Sequence, residues 1–175
     1  MTTIINILGG PGAGKSTTAA EVFAILKRRG MSVELCTEYA KVKTYEGHHN
    51  ILGDQLYMLA KQNRMQARVK DKVDFIITDS PLLLCMIYQS GNEPESFNRF
   101  VMDVWDSYDN VSFLLDRGSI KYDPNGRNQN EQEAHEIDAK LKGLLINNNV
   151  PFEIVKTGEN VAQKIVDYID TLYIP

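Results

Sequence analysis

Cysteine is scarce in this chain of 175 residues: there are two, Cys36 and Cys85. They stand far apart in apolar surroundings and match no metal-ligand spacing. That excludes a disulfide scaffold and reads as a pair of buried thiols in a reducing compartment. Long apolar runs are missing as well, and none approaches the roughly 20 residues that a membrane-spanning helix needs. Positive charge is not in excess, since 19 Lys and Arg face 23 Asp and Glu for a net charge of −4. No global basic field exists, so a nucleic-acid partner requires a local patch. Internal repeats and low-complexity tracts are absent. Of the three histidines, His48 and His49 are sequence neighbours whose side chains diverge, a poor metal pair. Met-Thr-Thr-Ile-Ile-Asn leads directly into an apolar run, from which no signal peptide is expected. These exclusions predict a soluble cytoplasmic protein without a membrane partner, as a monomer or homodimer.

What is present is an ordinary globular composition, 43% hydrophobic and 24% charged. The length suits a single domain over 1–175 with a core large enough to need no staples. Apolar runs alternate between two periods. Thr3 to Leu8, Ser32 to Thr37, Val73 to Thr78, Val111 to Leu115 and Phe152 to Val155 read as strands. Helical spacing covers Lys15 to Arg29, stopped by Gly30, and Ile51 to Val69, with Leu52, Leu56, Leu59 and Ala60 as its apolar face. It returns over Phe97 to Tyr108, where Val101, Trp105 and Tyr108 serve packing, and over Glu131 to Leu145 and Asn160 to Leu172. Strands alternating with helices predict a three-layer α/β fold with a five-stranded, mostly parallel sheet in the order 2-3-1-4-5. Residues 117–129 form a polar, lid-like loop too short to divide domains.

Gly9-Gly10-Pro11-Gly12-Ala13-Gly14-Lys15-Ser16 matches G-x-x-x-x-G-K-[ST] at every fixed position. It lies between a predicted strand and a predicted helix, the context that the motif requires. Glycines let the backbone curl, so that the amides of Gly10, Gly12, Ala13 and Gly14 can turn toward a phosphate. The helix that follows presents its positive end to the same anion. Lys15 is expected to bridge β- and γ-phosphates, Ser16 to ligate Mg²⁺, and Thr17 to contact the α-phosphate of ATP. A dinucleotide fingerprint fails, because Lys15 stands where its third glycine belongs.

Other candidates cluster at predicted strand ends. Asp79 ends the third strand, where an acid can hold Mg²⁺; Asp79-Ser80-Pro81 also reads as a helix cap. Glu38 ends the second strand, and the strand ends of a parallel sheet share one edge. One of these carboxylates can serve the metal while the other accepts a hydroxyl proton, which leaves Glu38 or Asp79 as base. Arg117, Lys121 and Arg127 give the 117–129 loop its charge. As a mobile lid its arginines would balance transition-state charge, and otherwise it is a solvated loop. Asp54, Gln55, Tyr57, Lys61, Gln62 and Arg64 lie on the long helix, and Asp54, Tyr57, Lys61 and Arg64 share a face that could line an acceptor pocket or simply meet solvent.

The chain as a whole resembles the small P-loop kinases grouped with thymidylate kinases and nicotinamide riboside kinases. Within that group it most resembles phage proteins described as 5-hydroxymethyluracil DNA kinases. Val33 to Lys41, Asp54 to Tyr57, Ile77 to Leu84 and Tyr122 to Arg127 carry the likeness. The resemblance implies ATP- and Mg²⁺-dependent transfer of the γ-phosphate to the hydroxymethyl group of a modified base in phage DNA. A free nucleoside, nucleotide or nicotinamide riboside is the alternative acceptor. The catalytic set expected is Lys15, Glu38, Asp79, Arg117 and Arg127, with Ser16 and Asp79 on the metal and Glu38, Asp54, Gln55 and Tyr57 toward the acceptor. A regulatory ATPase that hydrolyses without transfer is the further alternative. Against it, motor-type ATPases place two adjacent acids at the third strand end, and here Ser80 follows Asp79.

Overall fold

The computed structural model describes residues 2–118 and 130–173. Among these residues, five strands make one sheet ordered β2-β3-β1-β4-β5, with every pairing parallel. They are β1 (Thr3–Leu8), β2 (Val33–Cys36), β3 (Phe75–Thr78), β4 (Asp109–Asp116) and β5 (Glu153–Lys156). The helices are α1 (Lys15–Arg28), α2 (Tyr39–Tyr45), α3 (Gln55–Ala67), α4 (Leu84–Ile87), α5 (Phe97–Trp105), α6 (Glu131–Asn147) and α7 (Val161–Tyr173). This is the doubly covered α/β sheet expected from the alternation of periods.

The period-2 pattern of β1 explains the layering. Ile5 and Ile7 face a core shared with Val22 and Leu26 of α1 and Ile165 and Ile169 of α7. Leu8 faces the opposite core, built with Met58 and Leu59 of α3, Val101 and Trp105 of α5, and Leu141 of α6. All six β1 residues are buried, as a central strand covered on both faces requires. Each large apolar side chain removed from water here contributes about 1.5–3 kcal/mol.

Two expectations about elements need correction. The apolar helix expected over 51–69 divides into a 3₁₀ turn, His49–Gly53, and α3. Asp54 ends the first and caps the second, its Oδ1 accepting from Tyr57 N at 3.0 Å. Leu56 and Ala60 are exposed, while Gln55, Met58, Leu59, Gln62 and Gln66 are buried. The inward face of α3 is therefore rich in glutamine: Gln62 bonds Thr37 O and Tyr39 N after β2, and Gln55 bonds Leu52 O in the preceding turn. The second correction concerns α2 and α4, short helices for which the sequence shows little periodicity.

Register aligns the strand ends. Cys36 pairs with Thr78 and Thr78 with Asn6, while Leu8 pairs with Leu114. Gly9, Glu38, Asp79 and Arg117 follow four different strands and so emerge at one edge of the sheet.

Candidate nucleotide and acceptor site

The loop between β1 and α1 has the backbone that a phosphate cradle requires. Gly12 and Gly14 adopt φ of 80° and 87°, left-handed values that side chains disfavour. Gly14 is the N-cap of α1 and offers no side-chain acceptor, and no acidic residue lies in the first turn. The leading N–H groups of a 14-residue helix thus face the cavity with the helix's positive end. Ser16 and Thr17 are exposed on that turn and line the cavity.

The cavity has a volume of about 540 Å³ and runs from this loop across the sheet edge. Gly12, Gly14, Lys15, Ser16, Thr17 and Glu38 form its phosphate-side end. Leu52, Met58, Pro81, Leu84 and Cys85 make an apolar slot at the other end, with Gln55, Thr44 and Tyr88 as polar edges. Burial pushes the Cys85 thiol up to about 12. That thiol is a packing surface rather than a nucleophile.

Lys15 reaches over the loop, its Nζ donating to Gly10 O at 3.0 Å. Desolvation lowers its pKa, opposed by the nearby carboxylates of Glu38, Asp79 and Asp138. Glu38 is shifted the other way: burial raises its carboxyl above the ordinary range, against the pull of Lys15 and with the push of Asp79. An ammonium and two carboxylates therefore lie close together, Lys15 and Glu38 half-buried and Asp79 buried. Perturbations of this kind cluster where proton transfer or ion binding occurs.

Asp79 is 3% exposed. Its Oδ1 is buried with no hydrogen-bond partner among the described residues. An unsatisfied buried carboxylate oxygen is costly unless a cation or donor completes it. Asp79 does not cap a helix, since the next one, α4, is preceded by Leu83. The donor set of the Asp79 carboxylate and Ser16 hydroxyl is hard oxygen, which fits Mg²⁺. Among the described residues no cluster of three or more His, Cys, Asp or Glu side chains could hold a metal by itself.

Gln55 lines the cavity; Asp54 and Tyr57 do not. Asp54 is spent on the α3 cap, and the Tyr57 hydroxyl sits 2.8 Å from that of Tyr39. Lys61 and Arg64, on the same side of α3, face solvent. The cavity face of the helix is Gln55, Met58 and Gln62, spaced i, i+3 and i+7.

Arg117 corrects a larger expectation. The sequence places it in a mobile basic lid, yet it is 7% exposed and held on three sides. Nε donates to Asp138 Oδ2 at 2.7 Å, NH1 to Pro11 O at 3.1 Å and NH2 to Ala134 O at 3.4 Å. Lys121 and Arg127, the remainder of the expected lid, lie outside the described residues. Asp138, on α6, is a residue of this loop's surroundings that the sequence does not mark. An acid in a helix of mixed charge carries no local signal, and only packing brings it to the loop.

No helix among the described residues is long and apolar enough to cross a membrane. Two of the solved structures that share the fold are described as NadR protein. "NadR protein in complex with NR" aligns over 97% of this chain and 51% of its own at 16% identity, with a TM-score of 0.69. "NadR protein in complex with NAD and AMP-PNP" aligns over 97% and 49% at 14% identity, with a TM-score of 0.66. The chain thus spans about half the length of each. No curated protein matches it. A family model described as an AAA domain matches residues 4–164, and the chain belongs to that P-loop family, AAA_28.

Proposed function

We propose that this protein is a kinase that passes the γ-phosphate of ATP to a hydroxyl group of a nucleoside-like acceptor. The observation that carries the reading is that Lys15 and Glu38 line one cavity, with the buried Asp79 close enough to act on both, and that the same cavity has apolar lining beyond the phosphate loop. A hydrolase needs only water there; apolar side chains of Leu52, Met58, Pro81 and Leu84 beside the polar Gln55, Thr44 and Tyr88 suit a planar ring with polar substituents.

The loop amides and Lys15 hold the phosphate chain. Ser16 and Asp79 would hold Mg²⁺, which when bound neutralises phosphate charge. Glu38, its pKa raised by burial, takes the proton of the acceptor hydroxyl. The acceptor oxygen forms a bond to the γ-phosphorus as the bond to the bridging β–γ oxygen breaks and ADP leaves. Asp79 is the alternative base, but its unpartnered buried oxygen suits a cation better.

For the acceptor, the family resemblance favours the hydroxymethyl group of 5-hydroxymethyluracil in DNA. Lys41 lines the cavity and Lys61 lies over the Tyr57 ring, two cations available to a phosphate backbone, whereas Lys43, over the Tyr39 ring, is paired with Glu46. A free nucleoside such as nicotinamide riboside has equal support from the fold, because one NadR structure is described with NR and another with AMP-PNP. Labelled ATP offered with hydroxymethyluracil-containing DNA, with free nucleosides and with nucleotides separates the two. Transfer confined to free nucleosides removes the DNA acceptor, and hydrolysis indifferent to every acceptor removes the kinase.

A further inference from the structure

Gly10 is bonded through both halves of its backbone. Its N–H donates to Asp138 Oδ1 at 2.5 Å, and its carbonyl accepts from Lys15 Nζ at 3.0 Å. Asp138 thus reaches the catalytic lysine through a single glycine. The other oxygen of the same carboxylate takes the Arg117 guanidinium, with Nε and NH2 both 2.7 Å from Oδ2. Arg117 completes the ring by donating to Pro11 O, the next carbonyl of the loop, at 3.1 Å. Three separate elements are tied here: the phosphate loop, the residue that follows β4, and α6.

The packing around Gly10 shows how tightly α6 is seated. A Cβ at this position would lie 2.6 Å from Ala134 O and 2.7 Å from Asp138 Oδ1. Ala134 and Asp138 are one helical turn apart, so an entire turn of α6 rests against the loop. The ion pair is shielded, with side-chain exposures of 8% for Arg117 and 24% for Asp138. Neither residue lines the cavity.

We infer that Asp138 is a positioning residue for the phosphate loop, with Arg117 as its counter-ion: it holds Gly10, and through Gly10 the reach of Lys15, from outside the nucleotide site. The inference rests on the nucleotide reading above and adds a part to it. Loss of the carboxylate frees the Gly10 amide and leaves the loop to sample conformations that bind phosphate poorly. The effect therefore appears in affinity for ATP.

A buried ion pair also stabilises the fold, and the test has to separate the two roles. Replacing both partners by apolar residues of similar size commonly preserves stability, whereas removing one does not. The proteins to compare are the wild type, Asp138→Asn, Asp138→Ala and the double variant Arg117→Met/Asp138→Leu. ATP affinity is measured by titration calorimetry, and the ligand-free melting temperature in parallel. We expect the double variant, which leaves the Gly10 N–H and Pro11 O without these partners, to fold with a somewhat lowered melting temperature and to bind ATP about 10-fold or more weakly, a loss of the size expected when a hydrogen bond to a charged group is removed. Asp138→Asn, which keeps an oxygen for the Gly10 amide, should recover part of the affinity that Asp138→Ala loses. A stable double variant with wild-type ATP affinity overturns the inference. If the double variant does not fold, equal affinities of Asp138→Asn and Asp138→Ala overturn it instead. Failure of the wild type to bind ATP would overturn the nucleotide reading and the inference with it, whereas unaffected variants of an ATP-binding wild type overturn the inference alone.

Discussion

Gln62 brackets Glu38. Its Oε1 accepts from Tyr39 N at 3.2 Å, and its Nε2 donates to Thr37 O at 3.3 Å. One buried amide thus ties down the residue before and the residue after the proposed base, and sets the direction in which Glu38 leaves the strand. Gln62→Leu keeps the size but leaves two backbone groups unpaired. The expected cost is about 1–3 kcal/mol for each group left buried, and turnover should fall more than ATP affinity. Denaturant unfolding and steady-state kinetics check both; unchanged turnover would show that Glu38 needs no such support.

Lys15→Ala should lower phosphate transfer by about 100-fold or more while the circular dichroism spectrum is retained. The side chain makes its hydrogen bond inside the loop and faces the cavity rather than either core. Residual activity near wild type would remove Lys15 from the mechanism.

Glu38→Gln should lower turnover by about 10²–10⁴-fold with little change in ATP affinity. A base works only when ionised, so the wild-type rate should fall as pH drops through the Glu38 pKa. Because burial raises that value, the acidic limb should lie above the 4.5 of an ordinary glutamate. In Glu38→Gln the limb should vanish. A weakened ATP affinity at constant turnover would reassign the residue.

Stability should run against activity. A glutamate whose folded pKa is raised binds more protons folded than unfolded, so its contribution falls as pH rises from 4.5 through the folded value. Lys15, lowered from 10.5, binds fewer protons folded than unfolded, so its contribution is unfavourable at neutral pH and recovers only toward 10.5. The double variant Lys15→Met/Glu38→Gln removes both half-buried charges together. It should melt at a higher temperature than the ligand-free wild type near neutral pH, and transfer nothing. A lower melting temperature would mean that their mutual attraction outweighs desolvation.

Gly10→Ala tests the seating of α6. Its Cβ would meet a backbone oxygen, Ala134 O, at 2.6 Å, and backbone yields less readily than a side-chain tip. A loss of about 1–3 kcal/mol is expected, with weaker ATP binding. Unfolding at wild-type denaturant concentration would show that α6 shifts freely.

Local chemistry made much of this protein legible in advance. Gly9 to Ser16 announce a phosphate loop because the left-handed turns at Gly12 and Gly14, the lysine and the hydroxyl must all come from one short segment. Two hydrophobic periods give the strands and most helices, and parallel strand ends put Glu38 and Asp79 on one edge. The sequence could not show which face of α3 turns inward, because buried glutamines there break the apolar pattern, Gln62 by bonding Thr37 O and Tyr39 N of another segment. Nor could it pair Arg117 with Asp138, or Asp138 with Gly10 across 128 positions. Charge without periodicity looks solvated in one dimension. Only when α6 packs against the loop does desolvation make the partner of each polar group a matter of energy, and that decision belongs to the tertiary structure.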